Sequence, residues 1–119
     1  MGKHNEFGKQ GEQLAVEFLV GEGYQICTRN YRFAKAEIDI IARHGETLAV
    51  IEVKSRNMGF LEDMTATINP KKQRLLIQAA DQYVQEMDLD VEVRFDVITV
   101  IKKGANFEID HLKNAFYFF

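Results

Sequence analysis

At 119 residues with a formal net charge of −3, the chain is long enough for one genuine hydrophobic core and too short for two. Hydrophobic residues make up 46% and charged ones 28%, the mix of a soluble globular domain, and no apolar run approaches the length that spans a bilayer. The single cysteine, Cys27, excludes an internal disulfide, and the acidic balance argues against a surface that grips nucleic acid by overall charge. Met1-Gly2-Lys3-His4-Asn5-Glu6 has neither a signal-peptide core nor a myristoylation pattern, so the expectation is a single cytoplasmic domain over residues 1–119, with no membrane partner.

In chain order, Gly11 to Val20 reads as a helix: Leu14, Ala15, Phe18 and Leu19 form its apolar stripe, Glu12 lies near its start and Gly21-Glu22-Gly23 stops it. Tyr24 to Arg29 reads as a first strand, Ala36 to Arg43 as a second and Glu46 to Ser55 as a third. The last two contain Ile40-Ile41-Ala42 and Leu48-Ala49-Val50-Ile51, apolar on both faces as interior strands are. Asn57 to Asn69 has no clear period and reads as a loop with room for a helical turn. Asn69 is an N-cap and Pro70 a first helical position, opening a helix to about Met87 whose stripe runs Leu75, Leu76, Ala79, Ala80, Tyr83 and Val84. Val91 to Lys102 follows as a long strand, Lys103-Gly104-Ala105-Asn106 as a turn and Phe107 to Asp110 as a short strand. The ending Phe116-Tyr117-Phe118-Phe119 is too apolar to hang in water, and is expected to dock on the core or across a dimer interface. The order α-β-β-β-α-β-β makes this an α/β protein.

Chemistry concentrates in Glu37-Ile38-Asp39 and Glu52-Val53-Lys54, which set carboxylates and an amine inside otherwise apolar strands. An ionised carboxylate there needs a partner or an ion. With Arg43-His44-Gly45-Glu46 as the turn, Arg43 faces Glu46, Asp39 faces Val50 and Glu37 faces Glu52, which puts Glu37, Asp39, Glu52 and Lys54 on one side of the sheet. Asp39 and Glu52 are then diagonal neighbours able to bracket a hard divalent ion, Mg²⁺ or Mn²⁺, and their like charges should repel without one. His4, His44 and His111 show no ligand spacing that would suit zinc. The competing reading is a structural one, in which Glu52 is simply the salt-bridge partner of Lys54.

Cations cluster beside this pattern. Arg29, Arg32 and Lys35 precede the acidic strand, Lys54-Ser55-Arg56 ends the next, and Lys71-Lys72-Gln73-Arg74 opens the second helix. Taken singly, each is an ordinary solvated surface.

Gly8-Lys9-Gln10-Gly11-Glu12, Arg29-Asn30-Tyr31-Arg32, Glu37-Ile38-Asp39-Ile40-Ile41-Ala42, Ile51-Glu52-Val53-Lys54-Ser55-Arg56, Lys72-Gln73 and Arg94-Phe95-Asp96-Val97 together resemble the small bacterial YraN family. That family is related to the archaeal Holliday-junction resolvases within the restriction-endonuclease-like PD-(D/E)xK nucleases. The resemblance covers nearly the whole chain, and implies an αβββαββ core with a mixed sheet flanked by helices. It implies Asp39, Glu52, Lys54 and Glu12 as catalytic residues. It implies Asp39, Glu52, the backbone carbonyl of Val53 and Glu12 as ligands of Mg²⁺, with Mn²⁺ as substitute. Arg29, Arg32, Arg56, Lys72 and Gln73 become contacts to DNA. The chain departs from the pattern at Ile38, where the superfamily name has proline, and at Lys35-Ala36, where a small pair or glycine is usual.

The expectation is therefore a Mg²⁺-dependent endonuclease acting on DNA, branched and flap substrates included, and open to a homodimeric state. Two alternatives stand beside it. One is a nucleic-acid-binding module that keeps the fold without cutting. The other is a protein-interaction domain, whose sign would be a salt-bridged Glu52–Lys54 cluster and no affinity for nucleic acid at low salt.

Overall fold

The computed structural model describes residues 3–57 and 68–116, with side chains from Glu6 onward in the first stretch. Seven elements follow in order: α1 (Lys3–Gly21), β1 (Gln25–Phe33), β2 (Ala36–His44), β3 (Thr47–Asn57), α2 (Pro70–Glu86), β4 (Glu92–Lys103) and β5 (Asn106–Phe116). The strands form one mixed sheet in the order β1-β2-β3-β4-β5. β1, β2 and β3 are an antiparallel meander, α2 carries the chain over to β4 parallel to β3, and β5 returns antiparallel. This is the expected αβββαββ architecture, with a helix on each face.

Two apolar cores hold the layers together. Beneath α2, Leu76, Ala79, Ala80 and Tyr83 pack with Ile38, Ile41, Leu48, Val50, Phe95 and Val97. Beneath α1, Ala15 and Leu19 pack with Ile40, Ala42, Ala49, Ile51, Ile98 and Val100. Residues from β2, β3 and β4 supply both cores, which is why these strands are apolar on both faces. α2 begins as expected, with the Asn69 side chain accepting from the Lys72 backbone N–H at 2.8 Å and Pro70 in the first turn. Among the described residues no helix is long and apolar enough to cross a membrane.

Several boundaries differ from the sequence expectation. α1 starts at Lys3 instead of Gly11. Its stripe runs back through Gly11 to Phe7, and a glycine hides that continuation because it reads as neither apolar nor helical. Gly11 is needed there: a Cβ would lie 1.9 Å from Ser55 Oγ, so α1 sits directly on β3. Tyr24 is not in β1, since its N–H closes α1 on the Leu19 carbonyl at 2.9 Å. β1 and β5 both outrun their expected ends, because an edge strand keeps its ladder on one side and can be polar on much of its surface. The loop reading for Asn57 to Asn69 lies largely outside the described residues, as do Tyr117, Phe118 and Phe119. Phe116 does dock on the core, stacked on Phe95 with ring centroids 4.7 Å apart.

The β2–β3 register needs correction. The hairpin turns at Gly45-Glu46, where Gly45 takes φ +60°, so His44 faces Thr47 and Arg43 faces Leu48 instead of Glu46. The ladder ends at Ile40 opposite Ile51, leaving Asp39 and Glu52 each one residue past the last pair. Glu37 faces Arg32 on β1 instead of Glu52. The expectation of one shared face also fails, because alternation holds only along an unbroken ladder: Ile38 enters the α2 core and Ile40 the α1 core, so the strand rolls over at Asp39.

Candidate active site

Where β2 and β3 part, side chains replace backbone pairing. β2 runs on beside β1 to Ala36 and β3 runs on beside β4 to Asn57, so a gap opens past Ile40 and Ile51. Asp39 closes its inner end, its Oδ2 accepting the Val53 N–H at 2.8 Å. α1 roofs the gap, and the resulting cleft of about 440 Å³ is lined by Phe7, Gly8, Lys9, Glu12, Asp39, Val53, Lys54, Ser55 and Arg56.

The carboxylates are not equally satisfied. Glu52, only 8% exposed, has Lys72 Nζ at 2.6 Å and Lys54 Nζ at 3.3 Å from the same Oε1. Glu12 pairs with Arg29 at 3.6 Å, and Arg29 is fixed in turn by Gln13 at 2.9 Å. Asp39 has the Val53 N–H and no ion pair among the described residues. Its carboxyl is pushed up to about 7, first by burial and then by the charge of Glu52; the Val53 hydrogen bond opposes this, Glu12 adds to it and Lys72 counters it. Burial alone would lower the pKa of Lys72, but its hydrogen bond and charge contact with Glu52 outweigh that, and the net shift is upward.

The expected site residues separate accordingly. Asp39, Glu12, Val53 and Lys54 share the cleft, and Glu52 lies behind it, capped by the two lysines. Arg56 lines the cleft as well, its Nη1 donating to the Ser55 carbonyl at 3.0 Å. Arg29 is tied to the helix residue Glu12, and Arg32 points away into an exposed pair with Glu37 at 2.9 Å. Gln73 donates its amide to the Ile68 carbonyl at 3.0 Å, bracing the start of α2. Among the described residues no three His, Cys, Asp or Glu side chains are gathered closely enough to hold an ion between them.

Sequence reasoning missed Phe7, Gly8, Lys9 and Ser55 as cleft residues. The signal was there in the string Gly8 to Glu12, since residues three and four apart share a helix face. It also missed a buried polar cluster that does not line the cleft. Asp96, fully buried, accepts from Arg94 Nε and Nη2 at 2.9 Å, from the Asn114 N–H at 3.2 Å, and meets His111 Nε2 at 2.8 Å, while Arg94 also donates to the Tyr24 hydroxyl at 2.7 Å.

Comparison with known proteins places this site in a family. The family model described as "Uncharacterised protein family UPF0102" matches residues 11–100, a span that contains Glu12, Asp39, Glu52, Lys54 and Lys72. A UPF0102 protein of Christiangramia forsetii is 47% identical over 119 residues, covering all of both chains. One from Flavobacterium psychrophilum is 45% identical over 119 residues, again in full, and one from Bacteroides thetaiotaomicron is 43% identical over 117 residues, 98% of this chain and 97% of the relative.

Proposed function

The chain belongs to the UPF0102 family, which is described as uncharacterised, and from the geometry of its cleft we propose that it is a Mg²⁺-dependent endonuclease of the PD-(D/E)xK type that hydrolyses phosphodiester bonds in DNA. One observation carries this reading: Asp39 shares a cleft with Glu12 and Lys54, backs onto Glu52, and is left with a carboxyl raised to about 7 by burial and by those carboxylates. A carboxylate in that position calls for a cation.

The donor set suits a hard ion. Asp39 and Glu52 would hold Mg²⁺ with the Val53 carbonyl, and Glu12 would bind directly or through water; one or two carboxylates suffice, because Mg²⁺ keeps several of its waters. Bound there, it supplies charge neutralisation and an activated water. Lys54 lines the cleft with its ammonium anchored by Glu52, and in this reading it would donate to a phosphate oxygen and orient the attacking water. Lys9 and Arg56 flank it and would hold the neighbouring phosphates. The test is cleavage of a four-way junction, a flap, linear duplex and single strand, each with Mg²⁺, with Mn²⁺ and with EDTA. Metal-dependent nicking that Lys54→Met lowers by about 10²–10³-fold is expected, and no cleavage of any substrate by wild type would reject the activity.

A second reading has one observation in its favour. The Glu52–Lys54 ion pair is the sign expected of a protein-interaction domain. Retention of the junction at low salt by wild type argues against that reading, and its absence supports it.

A further inference from the structure

Lys72 does not line the cleft, yet it makes the shortest contact to the carboxylate behind it, 2.6 Å from Glu52 Oε1. Its stem comes from the first turn of α2, where the Asn69 cap fixes the backbone. Lys54 reaches the same oxygen from two residues along the same strand and is only 19% exposed, whereas the Lys72 side chain is 36% exposed and has solvent to move into. Glu52, only 8% exposed, is thus covered by an ammonium that arrives from another element.

We propose that Lys72 stands in for the divalent cation at Glu52 in the metal-free protein, so that Lys72 and the cation compete for this carboxylate and binding of the cation releases the lysine. The inference rests on the metal-dependent reading above. Its logic is charge. Lys54 and Lys72 already crowd one oxygen of Glu52, and Lys9 and Arg56 line the adjoining cleft. A divalent ion added there raises the local positive charge further, which expels the most mobile ammonium and favours an incoming phosphodiester. Lys72, on a flexible four-carbon stem at the helix start, is the side chain free to leave. Released, it is a point charge beside the cleft where DNA would lie.

Two measurements test this. Calorimetric titration with Mn²⁺ should give a dissociation constant at least about fivefold lower for Lys72→Gln than for wild type, and a wild-type value for Lys72→Arg, which keeps the charge. Lysine acylation read by mass spectrometry on the unmutated protein should show Lys72 becoming more reactive with Mn²⁺, and Lys54 much less so. Equal or weaker Mn²⁺ binding by Lys72→Gln overturns the proposal, and so does Mn²⁺ bound to wild type with no rise in Lys72 labelling. Should Lys72→Gln fail to fold, the labelling on wild type decides alone. If neither wild type nor variant binds millimolar Mn²⁺, the metal dependence falls and this proposal with it, an outcome distinct from binding without competition.

Discussion

Asp39 carries the electrostatic conflict of the cleft, and its sign can be tested without DNA. Its pKa rises from 3.8 to about 7 on folding, chiefly by burial and then by Glu52. The folded chain therefore holds this proton more tightly than the unfolded one, and stability falls as pH rises across that window. Asp39→Asn, which keeps an acceptor for the Val53 N–H, should remove the slope. Its metal-free melting temperature should exceed that of wild type at pH 8 and match it near pH 4, and an unchanged slope would move the conflict elsewhere. Glu52 is held by ion pairs instead. Like-charge repulsion alone predicts that Glu52→Gln is neutral or stabilising without metal, but the two lysines at 2.6 and 3.3 Å reverse that expectation. Neutralising a buried carboxylate beneath partly exposed ammoniums should cost about 2 kcal/mol, between the surface and fully buried limits. Denaturant melts in EDTA measure it.

At the level of elements, the cleft depends on how closely α1 approaches β3. Alanine at an ordinary helical glycine is stabilising, but at Gly11 a side chain meets Ser55 Oγ at 1.9 Å and Ser55 Cβ at 3.2 Å. Rotation of the serine can relieve the first contact and not the second. Gly11→Val should therefore cost about 2–3 kcal/mol and widen the roof over Glu12, with a loss of Mn²⁺ affinity beyond the loss of stability. Element types were legible in the sequence wherever a period was uninterrupted, as in α2, with its Asn69 cap and Pro70, and in the doubly apolar β3 and β4. Asp39 and Lys54 in the cleft and Glu52 behind it were legible too, because they violate an apolar pattern, whereas Phe7, Gly8, Lys9 and Ser55 were not. Register was not, since Arg43-His44-Gly45-Glu46 admits turns one residue apart, which shifts every cross-strand partner by two, and only the packed sheet selects Gly45-Glu46. Nor was the pairing of Lys72 with Glu52, which depends on where a helix twenty residues downstream lands.

Across the whole molecule, Asp96 is the polar tie. It joins β4 to β5 through His111 and Asn114, and through Arg94 to Tyr24 at the foot of α1. Burial alone would raise its pKa, but His111 and Arg94 outweigh that and hold the carboxyl below its ordinary value. The stabilisation is thus present above the unfolded pKa and disappears as acid takes the pH down through the folded one. Asp96→Asn should cost about 2–3 kcal/mol at neutral pH, below the fully buried limit, because a half-buried Arg94 is left beside a neutral amide. Charge distribution sets the other global expectation. With a net charge of −3, DNA affinity would have to come from local cations such as Lys9, Lys54 and Arg56 in the cleft and Lys72 beside it. Affinity should fall steeply with salt, and Arg56→Ala should weaken it on every sequence, while Arg32→Ala, paired outside the cleft, should do less. Fluorescence anisotropy across a salt series reads both.

Both outer strands of the sheet are interrupted. β1 slips register between Ile26 and Thr28 and holds Asn30 at φ +55°, and β5 slips opposite Phe95 and Val97 and holds Asn114 at φ +56°, whereas no irregularity marks the ladders that join β2 to β3 and β3 to β4. A straight, unpaired rim is a template on which another chain can stack indefinitely, and a break in each rim denies that template its length. Among the described residues the two outer strands pair with the sheet on one side only, and the break in each limits the length of straight backbone on which another chain could stack.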